Sequence, residues 1–266
     1  METFATFTNF HPNTSKSVIT IIQEGEQQPG SFNAASQTAI YQLSAGSVFT
    51  FIAGHDFKAG YATGGGPNAR FLDITGLMQT AEGLLVADED NYCLRMVSRS
   101  SSTHTQTYSG SCENEGIRDR RLLDACFLAP FSVNKPRGYI SITDRIACRM
   151  RRFYLINELI STKHIGDSHQ LFDFVMGEDD VEEFVITTDH GIFWVKDQQE
   201  TFLVGSQQWD MQNIEFSGQF SGVAFYGPRS IAWLSNTTVL VANQNDSNVK
   251  IVDLEKWETS SVCQCK

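Results

Sequence analysis

Two stretches of this chain repeat one another at a fixed offset, and that constrains its fold more than any other feature. Residues 64–97 read GGGPNARFLDITGLMQTAEGLLVADEDNYCLRMV and residues 119–153 read DRRLLDACFLAPFSVNKPRGYISITDRIACRMRRF. Ala69-Arg70-Phe71 falls on Ala125-Cys126-Phe127 and Asp88 on Asp144, so 127 less 71 and 144 less 88 both give 56. Cys93-Leu94-Arg95 then falls near Cys148-Arg149-Met150. A third copy runs over 218–254, with Ala224-Phe225 at its start and Leu240-Val241-Ala242-Asn243 in its middle. Residues 182–206 keep only the later part of the unit, and 31–54 match its second half, which makes five copies. A period of this size belongs to repeat architectures in which each unit buries its faces against its neighbours.

Within each copy, short β-branched and aromatic runs alternate with Gly, Asn, Asp and Ser, the pattern of a four-stranded antiparallel meander. In the first clear copy the strands are expected at Ile74–Met78, Gly83–Ala87, Cys93–Ser98 and Thr103–Tyr108. No segment carries a sustained helical period. One such sheet cannot cover both of its faces, so the sheets must stack around an axis. The expected fold is all-β, a β-propeller forming one domain over 1–266, with blades near 11–54, 55–110, 111–168, 169–206 and 207–266. Thr3–Phe10 is expected as a closing strand. Five blades are visible; six remain open if one is degenerate or lies outside this chain.

The motifs themselves, an opening Ala-Arg-Phe, an aliphatic strand ending in Ala-Asp, then Asn-x-x-Leu-Arg and a last strand ending in Ser-Gly, resemble the NHL repeat. The resemblance is strongest over 55–153 and extends to 31–54 and 207–254. It implies a binding scaffold for a protein, acidic peptide or glycan, with no cofactor. Two other activities in the family stay open as alternatives. Secreted relatives include a lyase acting on peptidyl-hydroxyglycine with zinc held by histidines from separate blades. The six histidines here are His11, His55, His104, His164, His169 and His190, and none forms an i, i+4 metal pair. Propellers of some tripartite-motif proteins bind RNA through a broadly basic face, whereas this chain has a net charge of -11, which argues against nucleic acid.

With 41% hydrophobic and 19% charged residues and 19 Phe, the chain has the material for a packed core. No apolar run is long enough to span a membrane as a helix, and the first twenty residues show no signal-peptide pattern. The cysteines, Cys93, Cys112, Cys126, Cys148, Cys263 and Cys265, contain no CxxC pair. Cys93 opens a third strand and Cys112 follows the fourth, so a hairpin brings them close; Cys126–Cys148 follows by elimination. Cys263 and Cys265 need partners elsewhere. These pairings imply an extracellular or secreted protein, with six free thiols in a cytoplasmic chain as the alternative. Asn13, Asn236 and Asn245 head glycosylation triplets.

Phe71, Phe127 and Phe225 recur once per unit and are expected as wedges between sheets. Asp88, Asp144 and Asn243 end strands, where their side chains are expected to bond the following turn. Arg95 and Arg149 are expected to pair with the repeated carboxylates. Gly64-Gly65-Gly66 reads as a turn, since no Gly-Lys-Ser/Thr follows it. Charge is segregated. Arg118, Arg120, Arg121, Arg137, Arg145, Arg149, Arg151 and Arg152, with Lys135, face only Asp119, Asp124 and Asp144, a net of +6 that leaves -17 on the rest. Acidic runs lie at 88–90 and 178–183. The basic sector is a candidate docking site for an acidic partner; solvated ion pairs are the other reading.

Overall fold

The alternating runs are realised as five antiparallel meanders in the computed structural model of the chain. It describes residues 20–23, 32–44, 48–98, 103–110, 115–134, 139–154, 158–164, 170–176, 183–189, 191–196, 199–205, 225, 227–243, 248–256 and 258–264. The first sheet is β1 (Thr20–Gln23), β2 (Phe32–Ala35), β3 (Ala39–Ser44) and β4 (Val48–Gly54). The second comprises β5 (Gly64–Gly65), β6 (Ile74–Gln79), β7 (Gly83–Asp88), β8 (Cys93–Ser98) and β9 (His104–Ser109). The third is β10 (Pro130–Asn134), β11 (Tyr139–Asp144), β12 (Arg149–Tyr154) and β13 (Leu159–His164). The fourth is β14 (Leu171–Met176), β15 (Glu183–Thr188), β16 (Gly191–Lys196) and β17 (Gln199–Gly205). The fifth is β18 (Pro228–Ser235), β19 (Thr238–Asn243), β20 (Asn248–Asp253) and β21 (Glu258–Gln264).

Each sheet follows chain order, except that β5 joins the second at its far edge, beside β9. Helical structure among the described residues is limited to single 3-10 turns at Gly66–Asn68, Glu89–Asn91 and Leu122–Asp124. The expected closing strand, Thr3–Phe10, lies outside the described residues.

The chain divides into two compact units, Glu2–Lys163 with the first three sheets and His164–Lys266 with the last two. In the first unit β6 packs against both β1 and β10. Thr75 Oγ1 donates to the carbonyl of Pro130 (3.1 Å), and a Cβ on Gly76 would lie 2.5 Å from the Phe131 carbonyl oxygen. Only glycine permits that approach. Phe71 is buried with Ala35, Ile40 and Ala53 of the first sheet and Leu84 and Val86 of the second. Phe127 is buried between the second sheet's Leu85, Leu94 and Met96 and the third sheet's Ile142 and Phe153. In the second unit β14 packs against β18, where Asp173 Oδ2 accepts from Ser230 Oγ (2.8 Å) and the Ile231 amide (3.1 Å). Phe225 is buried there with Val185 and Leu203 of the fourth sheet and Ile231 and Val239 of the fifth. All three phenylalanines are wedges between sheets, as expected.

One correction concerns register. Asp88 pairs across the strands with Cys93, and Asp144 with Arg149. The equivalent of Cys93 is therefore Arg149, that of Arg95 is Arg151, and Cys148 corresponds to Tyr92. Both Tyr92 (φ 57) and Cys148 (φ 51) hold the left-handed position that closes the turn. A shift of one residue exchanges the two faces of a strand, so it decides which arginine is buried.

Candidate interaction surface

The buried arginines define how the surface is held. Arg95 and Asp88 are both fully buried, with Arg95 Nη1 3.3 Å from Asp88 Oδ2. Arg95 also donates to the carbonyls of Ala62 (2.9 Å) and Arg70 (3.3 Å), and its guanidinium lies over Tyr61 (4.5 Å) and Phe71 (5.6 Å). The third blade repeats the arrangement. Arg151 pairs with Asp144 (3.1 Å), donates to the carbonyls of Arg118 (2.9 Å) and Cys126 (2.8 Å), and lies over Phe127 (5.0 Å).

Asp88 Oδ2 accepts from the Asn91 side chain of the following turn (2.8 Å), but the backbone amides that the repeated carboxylates bond precede them in the chain, which corrects the expected bond to backbone amides of the following turn. Asp88 Oδ1 accepts from the Leu72 and Asp73 amides, and Asp144 Oδ1 from those of Leu128 and Ala129. Burial pushes the Asp88 carboxyl up to about 6, against the opposing pull of Asn91, the Leu72 and Asp73 amides and Arg95. Burial raises Asp144 in the same way and lowers Arg95.

In the second unit the motif fades. Register puts Thr188 and Phe193 at the fourth blade's Asp and Arg positions, and Asn243 and Lys250 at the fifth's. Lys250 Nζ still lies 4.6 Å from the Phe225 ring centroid.

What the arginines grip is a lead-in hairpin on the outer edge of each blade, residues 60–71 and 116–127. The Gly60 amide donates to Phe71 and the Gly116 amide to Phe127, each at 3.0 Å. Ala62 and Arg70 exchange two bonds of 3.4 and 3.2 Å, and Arg118 and Cys126 do the same. The Gly64-Gly65-Gly66 run is thus an edge strand leading into a 3-10 turn, not a simple turn. The two hairpins share the pairing at their open ends but not their backbone path, since Gly60 (φ 144), Gly64 (φ 133) and Gly66 (φ 42) have positive φ and Gly116, Arg120 and Leu122 do not. Ala62, Gly64, Gly65 and Pro67 in the second blade stand where Arg118, Arg120, Arg121 and Leu123 stand in the third.

The arginine group is dispersed by the structure. Arg151 is buried in its ion pairs, and Arg152 is buried with its guanidinium over Tyr139 (5.3 Å). Arg145 pairs with Glu89 of the neighbouring blade and lies over Phe131 (5.4 Å). Arg149 is half-buried, and Arg137 lies outside the described residues. Arg118, Arg120 and Arg121 are exposed together on the hairpin. The acidic run at 88–90 does not form a surface patch either, because Asp88 and Glu89 are buried and only Asp90 is exposed. The run at 178–183 contains residues outside the described set.

Asp119, exposed at the surface, bonds back onto its own blade. Its Oδ1 accepts from Arg151 Nη2 (3.0 Å) and Thr162 Oγ1 (2.7 Å), and its Oδ2 from the Thr162 amide (3.0 Å). The Ile160 amide donates to Arg120, so the hairpin also covers the open edge of β13. Ile117, Leu123 (63% exposed) and Leu159 flank the arginines in solvent. A second exposed group, which sequence reasoning missed, is aromatic: Phe49 and Phe51 on β4, then Phe57 and Tyr61. The run VFTF in an outer strand was the signal for it.

Cys126 and Cys148 are free thiols, which corrects the expected bond between them. The physical reason is the register: Cys148 occupies the turn position of Tyr92, not the strand position of Cys93. Cys93 is buried and is not among the free thiols. Cys112 and Cys265 lie outside the described residues, as do His11, His169 and His190.

No family model matches the chain, and no curated protein sequence does. Solved structures do. A streptogramin B lyase aligns with a TM-score of 0.55 at 10% identity, over 96% of this chain and 71% of its own. Virginiamycin B lyase from Staphylococcus aureus aligns with a TM-score of 0.55 at 9% identity, over 96% and 73%. The WD40 β-propeller domain of Doa1 is matched at 11% identity over 92% and 72%, with a TM-score of 0.49. At such identities the likeness to the two lyases shows architecture alone. The chain has a β-propeller fold with five four-stranded blades.

Proposed function

We propose that this chain is an NHL-like propeller that serves as a protein-interaction module and docks its partner on the lead-in hairpin of the third blade. One observation carries the reading. The second blade makes the same open-end pairing with Ala62 where the third has Arg118, and turns its tip on glycines, so the shared pairing does not require the third blade's Arg118, Arg120, Arg121 and Leu123, which stand exposed. Arginine is enriched at interfaces, the exposed Leu123 adds apolar area beside it, and loops positioned by a rigid scaffold are where binding residues concentrate.

The reading includes an extracellular setting with a Cys93–Cys112 disulfide. The absence of Cys93 from the free thiols supports it, as does the exposure of Asn236, which heads a glycosylation triplet in the β18–β19 turn. The test is charge reversal at Arg118, Arg120 and Arg121, because reversing Arg151 would break a buried ion pair. With a photo-crosslinker at position 123, the native chain should capture a defined partner and the R118E/R120E/R121E chain should lose it. Undiminished capture by the reversed chain would remove the hairpin from the proposal.

A further inference from the structure

The chemistry of this hairpin specifies its occupant, an inference that rests on the hairpin being the docking surface. Asp119 bonds back to Arg151 and Thr162, which places Arg118 and Arg120 on the opposite side of an extended segment. Residues two apart in such a segment are about 6.6–6.8 Å apart, the same spacing as carboxylates at alternate positions of an extended peptide. Neither Arg118 nor Arg120 has an ion-pair partner among the described residues, although Glu115, Asp124 and Glu158 lie exposed in the same region. Those three carboxylates repel a uniformly anionic chain and admit one whose charges are spaced.

The neutral part of the surface narrows the class further. Ile117, Leu123 and Leu159 are aliphatic, whereas single-stranded nucleic acid is held by aromatic side chains that stack its bases. Among the described residues the large exposed aromatic side chains belong to other segments, at Phe49, Phe51, Phe57 and Tyr61. We infer that the third-blade hairpin binds an extended acidic segment of a partner protein, with carboxylates at alternate positions and an aliphatic residue between them.

Fluorescence anisotropy tests this with a labelled peptide of about ten residues, glutamate at alternate positions and leucine between the central pair. Binding should weaken at least tenfold with R118Q/R120Q and several-fold with L123S, should fall as salt rises, and should be unchanged with K58Q, which alters an exposed cation elsewhere. The glutamine version of the peptide should not bind. Equal affinity for the R118Q/R120Q chain overturns the inference, and so does tighter binding of polyglutamate or oligouridylate. If the peptides fail while crosslinking from position 123 still captures an arginine-dependent partner, only the occupant is wrong. If the charge-reversed chain keeps its partner, the docking surface itself is wrong.

Discussion

A guanidinium and a carboxylate buried together contribute little net stability, because the attraction only offsets the loss of water around both ions. The chain contains its own comparison, since the fourth blade puts Thr188 and Phe193, both buried, where the second has Asp88 and Arg95. The Asp88→Ala substitution should therefore cost about 3–5 kcal/mol in urea unfolding, by leaving Arg95 uncompensated. The joint D88L/R95M change should recover most of that loss; equal loss in both variants would mean that the pair itself supplies the stability. A pH dependence follows with a definite sign. The folded-state value of Asp88, about 6, lies above the unfolded 3.8, so its contribution is complete below 3.8 and is lost as pH rises to about 6. Between pH 4 and 6 the native chain should lose stability relative to D88N as pH rises, measured by denaturant midpoints. The opposite slope would show that the hydrogen bonds to the ionised form outweigh burial.

At the scale of elements, the lead-in hairpin is clamped at its open end by Phe127 and Arg151, and near its tip the Arg120 carbonyl accepts from the Ile160 amide of β13. Phe127→Ala should cost about 3–5 kcal/mol, because it empties the wedge between the second and third sheets. Denaturant unfolding measures that cost, and a loss under 1 kcal/mol would mean that the gap collapses freely. Much of this element could be read from the repeat. The four expected strands of the second sheet lie within one residue of their expected ends, while β5 reads as a turn in the sequence, and the recurring phenylalanines marked its packing. The burial of Arg151 could not be read. Arg149, Arg151 and Arg152 stand close together in sequence, and what covers Arg151 is a carbonyl 33 residues earlier, at Arg118. The match of Cys93 to Cys148 misled because identical residues were aligned across turns of equal length. Sequence also shows eight arginines as one cluster, whereas among the seven that are described Arg118, Arg120 and Arg121 stand exposed together and Arg151 and Arg152 are buried.

For the whole molecule the open question is the compartment, and the thiols decide it. A chain of net charge -11 with a +6 sector can circulate in any aqueous setting, so charge does not discriminate. Cysteine chemistry does, because disulfides persist where the surroundings are oxidising. Cys148 is half-buried at a turn and Cys126 is buried, and both are free. In the folded chain Cys148 should be alkylated quickly and Cys126 only after unfolding. In chain taken from its native source, unfolded without reductant and alkylated, mass spectrometry should find no more than four labelled cysteines, with Cys93 and Cys112 protected until a reductant is added. Both of the free thiols lie in the blade whose Cys148 is displaced by one position from Cys93, so each pairing is judged separately. Six labelled cysteines would place the propeller in a reducing compartment and would direct the search for its acidic partner inside the cell.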